Sequence, residues 1–304
     1  MKRLRIAVLM GGPSTEREVS MASGKMVVEG LRPTGAFVIP VVVEDAQFAL
    51  PARLDVAFIA LHGTFGEDGQ VQRLLEERGV AYTGSDAEAS ARAFDKDTAK
   101  ECLKAAGIPT PAYTIHNGDS STLVQIKLPV VVKPARQGSS VGISIVRSRE
   151  DLLPACAKAR VYDERIVIEQ FIRGRELTVG ILGNRELPVV EIRTPSGFFG
   201  YREKYTAGAA EEVVPAPLDS SVAVRAQRYA RLAHERLGCR DFSRVDLILS
   251  DRGELFVLEV NTIPGLTQNS LLPKAAKAAG LSFSDLCVRM VEMALARRPL
   301  EVPA

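Results

Sequence analysis

Four polar residues in the stretch SRVDLILSDRGELFVLEVNTIPG, 243–265, carry the strongest chemical signal in this chain. The stretch reads as a strand over 244–250, a tight turn at Arg252 and Gly253, and a return strand over 254–261. Pairing centred on that turn sets Asp246 directly opposite Glu259. Side chains alternate faces along a strand, so Arg244 and Asp246 share one face with Glu259 and Asn261. Val245, Leu247, Leu249, Leu258 and Val260 fill the other face. Two facing carboxylates repel: at ~5 Å and an effective dielectric near 20 the cost is roughly 3 kcal/mol. A cation between them would relieve it. Two carboxylates, an amide oxygen and nearby phosphate oxygens form a hard, oxygen-only set that suits Mg²⁺. The chain then bends through NTIPG, 261–265, and brings the Gly265 N–H close to whatever that cation holds. A plain edge hairpin with a solvated face is the alternative, but it would not require Arg, Asp, Glu and Asn at these registers.

A second set of polar groups suits phosphate. LPVVVKPARQGSSVG, 128–142, is a buried strand ending in Lys133, then a loop of small residues, then another strand. Gln137, Gly138, Ser139 and Ser140 offer N–H and hydroxyl donors with little bulk. The pattern is not a P-loop, because no Gly-Lys-Ser/Thr opens a helix. Lys96 is a candidate second cation, equally compatible with a solvated lysine. Glu169 and Glu176 flank the end of the strand in IVIEQFIRGRE, 166–176, where carboxylates can accept from adenine or ribose; surface acids are the plain alternative.

A third set lies near the start. Ligands gather at the carboxyl ends of strands in open α/β sheets. The strand 5–10 leads to Glu16, and the strand 55–61 leads to His62 in HGTFGEDGQVQ, a loop whose glycines allow close approach. A capping carboxylate and a satisfied buried histidine are the structural alternatives.

These groups need elements to hold them. Residues 5–10, 37–43 and 55–61 read as buried strands. A helix after Gly12 has Thr15 and Glu18 as a capping box and Val19, Ala22, Met26, Val27 and Leu31 as its apolar face. A helix over 71–79 stops at Gly79. Alternating strands and helices imply a parallel α/β lobe over 1–92. A second lobe, 93–183, holds a helix over 95–106, strands at 129–134 and 142–146, a helix near 150–160 and a strand at 165–169. A third, 184–304, holds a strand at 187–193, a long helix over 219–237, the hairpin, and helices at 271–279 and 284–297. The fold class is therefore mixed α/β and α+β. The segment 195–217, with Tyr201, Arg202, Lys204 and Tyr205, is long for a connection and reads as a lid.

At 304 residues two or three lobes are expected, and 46% hydrophobic residues support real cores. The net charge of +2, from 39 basic and 37 acidic residues, gives no general reason to expect nucleic acid or a membrane surface as partner. Cys102, Cys156, Cys239 and Cys287 form no C-x-x-C pair and suit free thiols in a reducing cytoplasm. The opening MKRLRIAVLMGG is too short for a signal peptide, and no run approaches the roughly 18 apolar residues of a membrane span.

In order along the chain, GGPSTEREVS, LHGTFGEDGQVQ, AYTGS, Asp95-Lys96, VVKPARQGSSVG, IEQFIRGRELTV, YREKY, SRVD and LEVNTIPGLTQNSLLP closely resemble the D-alanine–D-alanine ligases of the ATP-grasp superfamily. The resemblance covers nearly the whole chain. It implies three domains, with ATP held between the central and C-terminal sheets, and a homodimer. It implies that Lys96, Lys133, Ser139, Glu169, Ile172 (through its backbone) and Glu176 contact the nucleotide. Asp246, Glu259 and Asn261 would hold two Mg²⁺ ions, with Mn²⁺ a possible substitute. Arg244 and the Gly265 N–H would clamp an oxyanion. Glu16, with His62 nearby, would receive the first D-alanine ammonium; Ser270, Leu271 and Lys204 would hold the second carboxylate. Glu16, Ser139 and Tyr205 would form a trio that ties the lid and the phosphate loop over the site. The lid after Tyr205, TAGAAEEVV, is smaller and less polar than the family pattern. Another ATP-grasp carboxylate–amine ligase, or a D-alanine–D-lactate ligase, is the alternative reading.

Overall fold

The structure is a computed structural model, and it describes residues 1, 3–119, 121–194 and 210–297. Among these residues the strands form three sheets. The first is parallel, with β1 (Arg5–Gly11) between β2 (Phe37–Val43) and β3 (Val56–Ile59). The apolar run of β1 is buried on both faces, as a central parallel strand requires. β2 departs from expectation: it is an edge strand, half-exposed along its length, with Phe37 at 60% exposure. Among the described residues only β1 pairs with it, so its outer edge is left open.

Helix α1 (Arg17–Leu31) covers this sheet with a face that keeps Val27 and Leu31 of the expected one and replaces Val19, Ala22 and Met26. Ser20, Ser23, Gly24, Val27, Val28 and Leu31 are buried, while Val19 and Ala22 line a cavity. Small residues win the inner face because the helix lies so close to β1. A Cβ at Gly24 would stand 2.4 Å from the Met10 Cβ. The expected Thr15–Glu18 capping box is also absent: Glu16 is the N-cap, and its side chain makes no cap hydrogen bond. α2 (Gln70–Glu77) follows, with Gly79 at φ +65° ending the turn.

The expected helix over 95–106 is preceded by another. α3 (Ala87–Phe94) and α4 (Lys96–Ala105) meet at Asp95, whose extended backbone breaks the helix and whose carboxylate accepts from the N–H groups of Asp97 and Thr98. The middle sheet is antiparallel, in the order β4 (Tyr113–His116), β7 (Ile166–Gln170), β5 (Val130–Pro134), β6 (Ser144–Val146). The helix Leu152–Arg160 covers it.

The third sheet runs β11 (Glu211–Val213), β10 (Val190–Arg193), β8 (Gly174–Leu182), β12 (Phe242–Ser250), β13 (Leu255–Asn261), with β9 (Arg185–Glu186) paired to β8. β8 falls in the segment 93–183 yet hydrogen-bonds into this sheet along nearly the whole of β12, so sheet membership changes near residues 171–173 rather than at 184. β11 likewise turns the end of the 195–217 segment into a strand. Ala226, Ala230 and Ala233 of the helix Ser220–Arg236 let it lie close on the sheet's inner face. The last two helices, Leu271–Ala278 and Phe283–Ala296, cross back to the first lobe. Leu272, Leu286, Met290 and Val291 share one core with Ile6, Val8, Val27 and Leu31. Among the described residues, no helix is long and apolar enough to cross a membrane.

The α1–β1 contact gives a stability test. Gly24→Val should destabilise the protein by about 1–3 kcal/mol through overpacking, more than the few tenths that valine gains over glycine in helix propensity. Thermal unfolding of this variant beside the exposed Lys25→Ala measures it. Equal midpoints for the two variants would show that α1 has room to move.

Candidate functional site

The hairpin brings its four polar residues together by a route that turn-centred pairing does not foresee. Near the turn Leu249 faces Leu255 and Leu247 faces Val257, one residue out of step with the expected register. A β-bulge at Leu258 then absorbs the extra residue, and beyond it Asp246 faces Glu259 and Arg244 faces Asn261. Leu258 therefore does not join the apolar face. It lines a cleft, while Val245, Leu247, Leu249, Leu255, Val257 and Val260 pack into one core.

The repulsion between Asp246 and Glu259 is met by the chain's own cations. Arg244 forks onto Asp246, with Nε to Oδ1 at 2.9 Å and Nη2 to Oδ2 at 2.7 Å. Thr178 on β8 donates to Asp246 Oδ1 at 2.6 Å. Lys96 Nζ lies 3.8 Å from Glu259 Oε2 and donates to the Gln137 carbonyl at 2.6 Å, which ties α4 to the 137–140 loop and the hairpin. Burial works against the charge on Arg244, but Asp246 outweighs it and raises the guanidinium pKa. Asn261 Oδ1 accepts from the Ile263 N–H at 2.9 Å, which shapes the bend towards Gly265. Among the described residues no cluster of three or more His, Cys, Asp or Glu is placed to hold a metal. The set here is two carboxylates and one amide, all oxygen donors, and its chemistry suits a hard divalent cation.

A cavity of about 400 Å³ opens where the three lobes meet. Glu16, His62, Lys96, Ser139, Arg244, Glu259, Asn261, Gly265, Ser270 and Leu271 all line it, although they span most of the chain. Ser139 Oγ donates to Glu16 Oε1. Oε2 is buried and has no hydrogen-bond partner among the described residues. Gly63 and Gly138 make space for it: a Cβ at either would stand 2.7 or 2.3 Å from Oε2. Ser139 and Ser140 both hold positive φ, +47° and +58°, a conformation that L-residues adopt at a cost of roughly 1 kcal/mol or more each. The loop stores that strain to present Ser139 to Glu16. The Gly138 N–H does not face outwards; it donates to the Gln137 side chain.

His62 is a joint between lobes. Its Nδ1 lies 2.9 Å from the Ile263 carbonyl and its Nε2 lies 2.9 Å from Ser23 Oγ. Only an Nδ1–H can serve the carbonyl, so in the neutral ring Nε2 accepts from the serine hydroxyl. Ser23 Oγ in turn accepts from the Leu266 N–H at 3.2 Å. Glu67, in the same GEDG loop, was not singled out by the sequence reading. It is buried 3.6 Å from His62 Nδ1. Burial pushes its carboxyl up to about 7; His62 pulls it back and the charge of Glu16 adds to the rise. The signal available was an acid placed between glycines in a loop that must pack closely.

A smaller cleft, about 100 Å³, lies between the middle and third sheets. Lys133, Glu169, Ile172, Glu176, Asp246 and Glu259 line it. Glu169 is buried, which removes the surface-acid reading for that residue. Lys133 Nζ is 2.6 Å from its Oε1 and Lys100 Nζ is 2.7 Å from its Oε2. Burial alone would raise the Glu169 pKa, yet the two ammoniums hold it below the ordinary carboxylate range. The sequence reading missed Lys100. Its signal was the four-residue spacing from Lys96, one helical turn along α4.

Lys204 and Tyr205, with the rest of 195–209, lie outside the described residues. The segment returns at β11, where Glu212 lines the larger cavity and pairs with Lys274, just beyond Ser270 and Leu271.

Comparison with known proteins shows the family to which the chain belongs. The D-ala D-ala ligase C-terminus family model matches residues 102–292, and the D-ala D-ala ligase N-terminus model matches 46–85. The D-alanine--D-alanine ligase of Methylacidiphilum infernorum is 46% identical over 292 residues, which covers 96% of each chain. That of Desulforudis audaxviator is 46% identical over 304 residues, 96% of this chain and 99% of the relative. The crystal structure of D-alanine--D-alanine ligase from Bacillus anthracis complexed with ATP aligns over 97% of this chain and 98% of its own, with 34% identity and a TM-score of 0.85.

Glu67 gives the site a pH signature. Its folded pKa lies above its ordinary value, so the folded protein keeps a proton that the unfolded chain releases above about 4.5. Its contribution therefore falls as the pH rises from about 4.5 to about 7 and stays low above that. Glu67→Gln should remove this fall and gain roughly 2–3 kcal/mol on the parent between pH 5 and pH 8. Thermal midpoints of both proteins at the two pH values check it. A constant difference between them would mean that Glu67 ionises as it does in water.

Proposed function

The chain belongs to the D-alanine–D-alanine ligase family, and we propose that it joins two D-alanine molecules into D-alanyl-D-alanine for peptidoglycan precursor synthesis, converting ATP to ADP and phosphate. The observation that carries the reading is the position of Glu259, which lines both the cleft and the cavity beside the Arg244–Asp246 pair. Groups that meet phosphate and groups that meet a small zwitterion thus share one wall.

A carboxylate is a poor acyl donor, so the first D-alanine must be activated. Its carboxylate oxygen attacks the γ-phosphorus of ATP, the bond to the β-phosphate oxygen breaks, and D-alanyl phosphate and ADP form. Lys96, Lys133 and the Ser139 loop hold the phosphates, and Glu169, Ile172 and Glu176 hold the adenosine. Asp246, Glu259 and Asn261 would hold two Mg²⁺ ions, with Mn²⁺ able to replace them; when bound they would screen the charge that builds between phosphate and carboxylate. Glu16 receives the ammonium of the first D-alanine through the oxygen that Ser139 leaves open. The amine of the second D-alanine, its carboxylate held by Ser270, Leu271 and Lys204, then attacks the acyl carbon. The tetrahedral oxyanion meets Arg244 and the Gly265 N–H. The carbon–oxygen bond to phosphate breaks and the new amine gives up its proton. Water would hydrolyse the acyl phosphate, so the 195–217 segment acts as the lid, with Tyr205 completing the trio with Glu16 and Ser139.

The reading extends to a homodimer working in the cytoplasm. The four cysteines are free thiols, three of them buried, which fits a reducing compartment.

The test is Mg²⁺-dependent release of ADP and phosphate with a panel of D- and L-alanine, D-serine and D-lactate. We expect release that requires D-alanine, with D-alanyl-D-alanine as the main product. Equal stimulation by L-alanine, or D-alanyl-D-lactate as the main product at neutral pH, would contradict the assignment.

A further inference from the structure

Two lysines hold Glu169, and they are not equivalent. Lys133 lines the nucleotide cleft, whereas Lys100 is absent from its wall. Lys100 is 1% exposed on α4, donates to Thr110 Oγ1 at 2.7 Å, and lies 5.3 Å from the centre of the Tyr113 ring. Its ammonium is 2.7 Å from Glu169 Oε2, but that oxygen carries no well-aligned hydrogen bond and keeps acceptor capacity.

The charges around Glu169 decide what happens when a nucleotide enters. Lys133 reaches it from β5 and Lys100 from α4; Glu176 on β8 and Glu259 on β13 line the same cleft, and the Tyr113 phenol is on the neighbouring β4. The reading of the cleft as an ATP site, on which this inference rests, turns Lys133 to the phosphates. A buried carboxylate that loses its only cation takes up a proton. Lys100, absent from the cleft wall and bonded to Thr110, stays behind. An ionised carboxylate accepts from the exocyclic amine of adenine and repels the O6 of hypoxanthine, whereas a protonated one can donate to O6.

We propose that Lys100 is a positioning residue for nucleotide choice: it keeps Glu169 ionised and in place when Lys133 engages phosphate, so that the cleft prefers a purine with an exocyclic amine. Burial lowers the Lys100 pKa, and the charge of Glu169 opposes that loss, so the pair is coupled in both directions.

The experiment compares the parent, Lys100→Met, Glu169→Gln and the double variant, with ATP and with inosine triphosphate, from pH 6 to 8.5. Methionine keeps the length of the stem without the charge. Lys100→Met should raise KM for ATP by about tenfold at pH 6, with a smaller change in kcat, as expected when a charged hydrogen-bond partner is lost. The preference for ATP over inosine triphosphate should fall most at low pH, and the double variant should be no worse than Glu169→Gln alone. A parent-like preference at every pH would overturn the proposal, as would an equal, pH-independent loss with both nucleotides. Glu169→Gln separates the two readings. If it leaves the preference intact, the assignment of Glu169 to the base falls, and the proposal with it. If it weakens the preference while Lys100→Met does not, only the role of Lys100 falls. Should Lys100→Met fail to fold by thermal melt, Lys100→Gln, which also removes the charge, reads the same effect, with an expected KM rise of several-fold at pH 6; a parent-like nucleotide preference at every pH would overturn the proposal.

Discussion

Asp246 and Glu259 face each other across two adjacent strands, and the rest of the site is arranged around that opposition. Neither carboxylate can be accommodated there without positive charge. Arg244 supplies it to Asp246 from two residues away on the same strand, and Lys96 approaches Glu259 from the start of α4. These cations carry the electrostatics outwards. Lys96 reaches the Gln137 carbonyl and so fixes the base of the 137–140 loop. Arg244, forked onto Asp246, lines the larger cavity. A divalent cation bound between the carboxylates would add to this balance rather than create it.

The second constraint is close approach. Glu16, Ser139 and His62 come from two lobes, and they meet only because glycines and strained serines allow it. Gly63 and Gly138 leave room for the Glu16 carboxylate, and Ser139 adopts a left-handed conformation to reach it. The contacts of His62 with Ser23 and Ile263, and of Leu266 with Ser23, pull the bend after the hairpin onto the first lobe. The final two helices finish the first lobe's core, so the site's walls are held by apolar packing as well as by hydrogen bonds.

Much of this was legible in the sequence because strand alternation is a strong constraint. The polar face of the hairpin follows from period-two patterning, while Lys133, Glu16 and His62 follow from buried apolar runs and the polar residues that come after them. What was not legible depended on tertiary contact. The bulge at Leu258 leaves no mark in an apolar run, so the register near the turn was one residue out. The inner face of α1 is apolar at Val27, Val28 and Leu31, but its first two turns are set by closeness to the sheet and by hydrogen bonds, which hid Ser20 and Ser23. β8 begins with GRE, polar residues that read as a turn, although they enter the third sheet. Lys100 and Glu67 look like surface charges until burial gives them partners.

The central claim is that the hairpin hands a phosphoryl group from the cleft to a carboxylate in the cavity. Turnover of D-alanine labelled with oxygen-18 in its carboxylate tests it directly, with mass spectrometry of the released phosphate. The account predicts one labelled oxygen in each phosphate formed, transferred when the acyl phosphate breaks. Unlabelled phosphate, released alongside normal dipeptide synthesis, would contradict it.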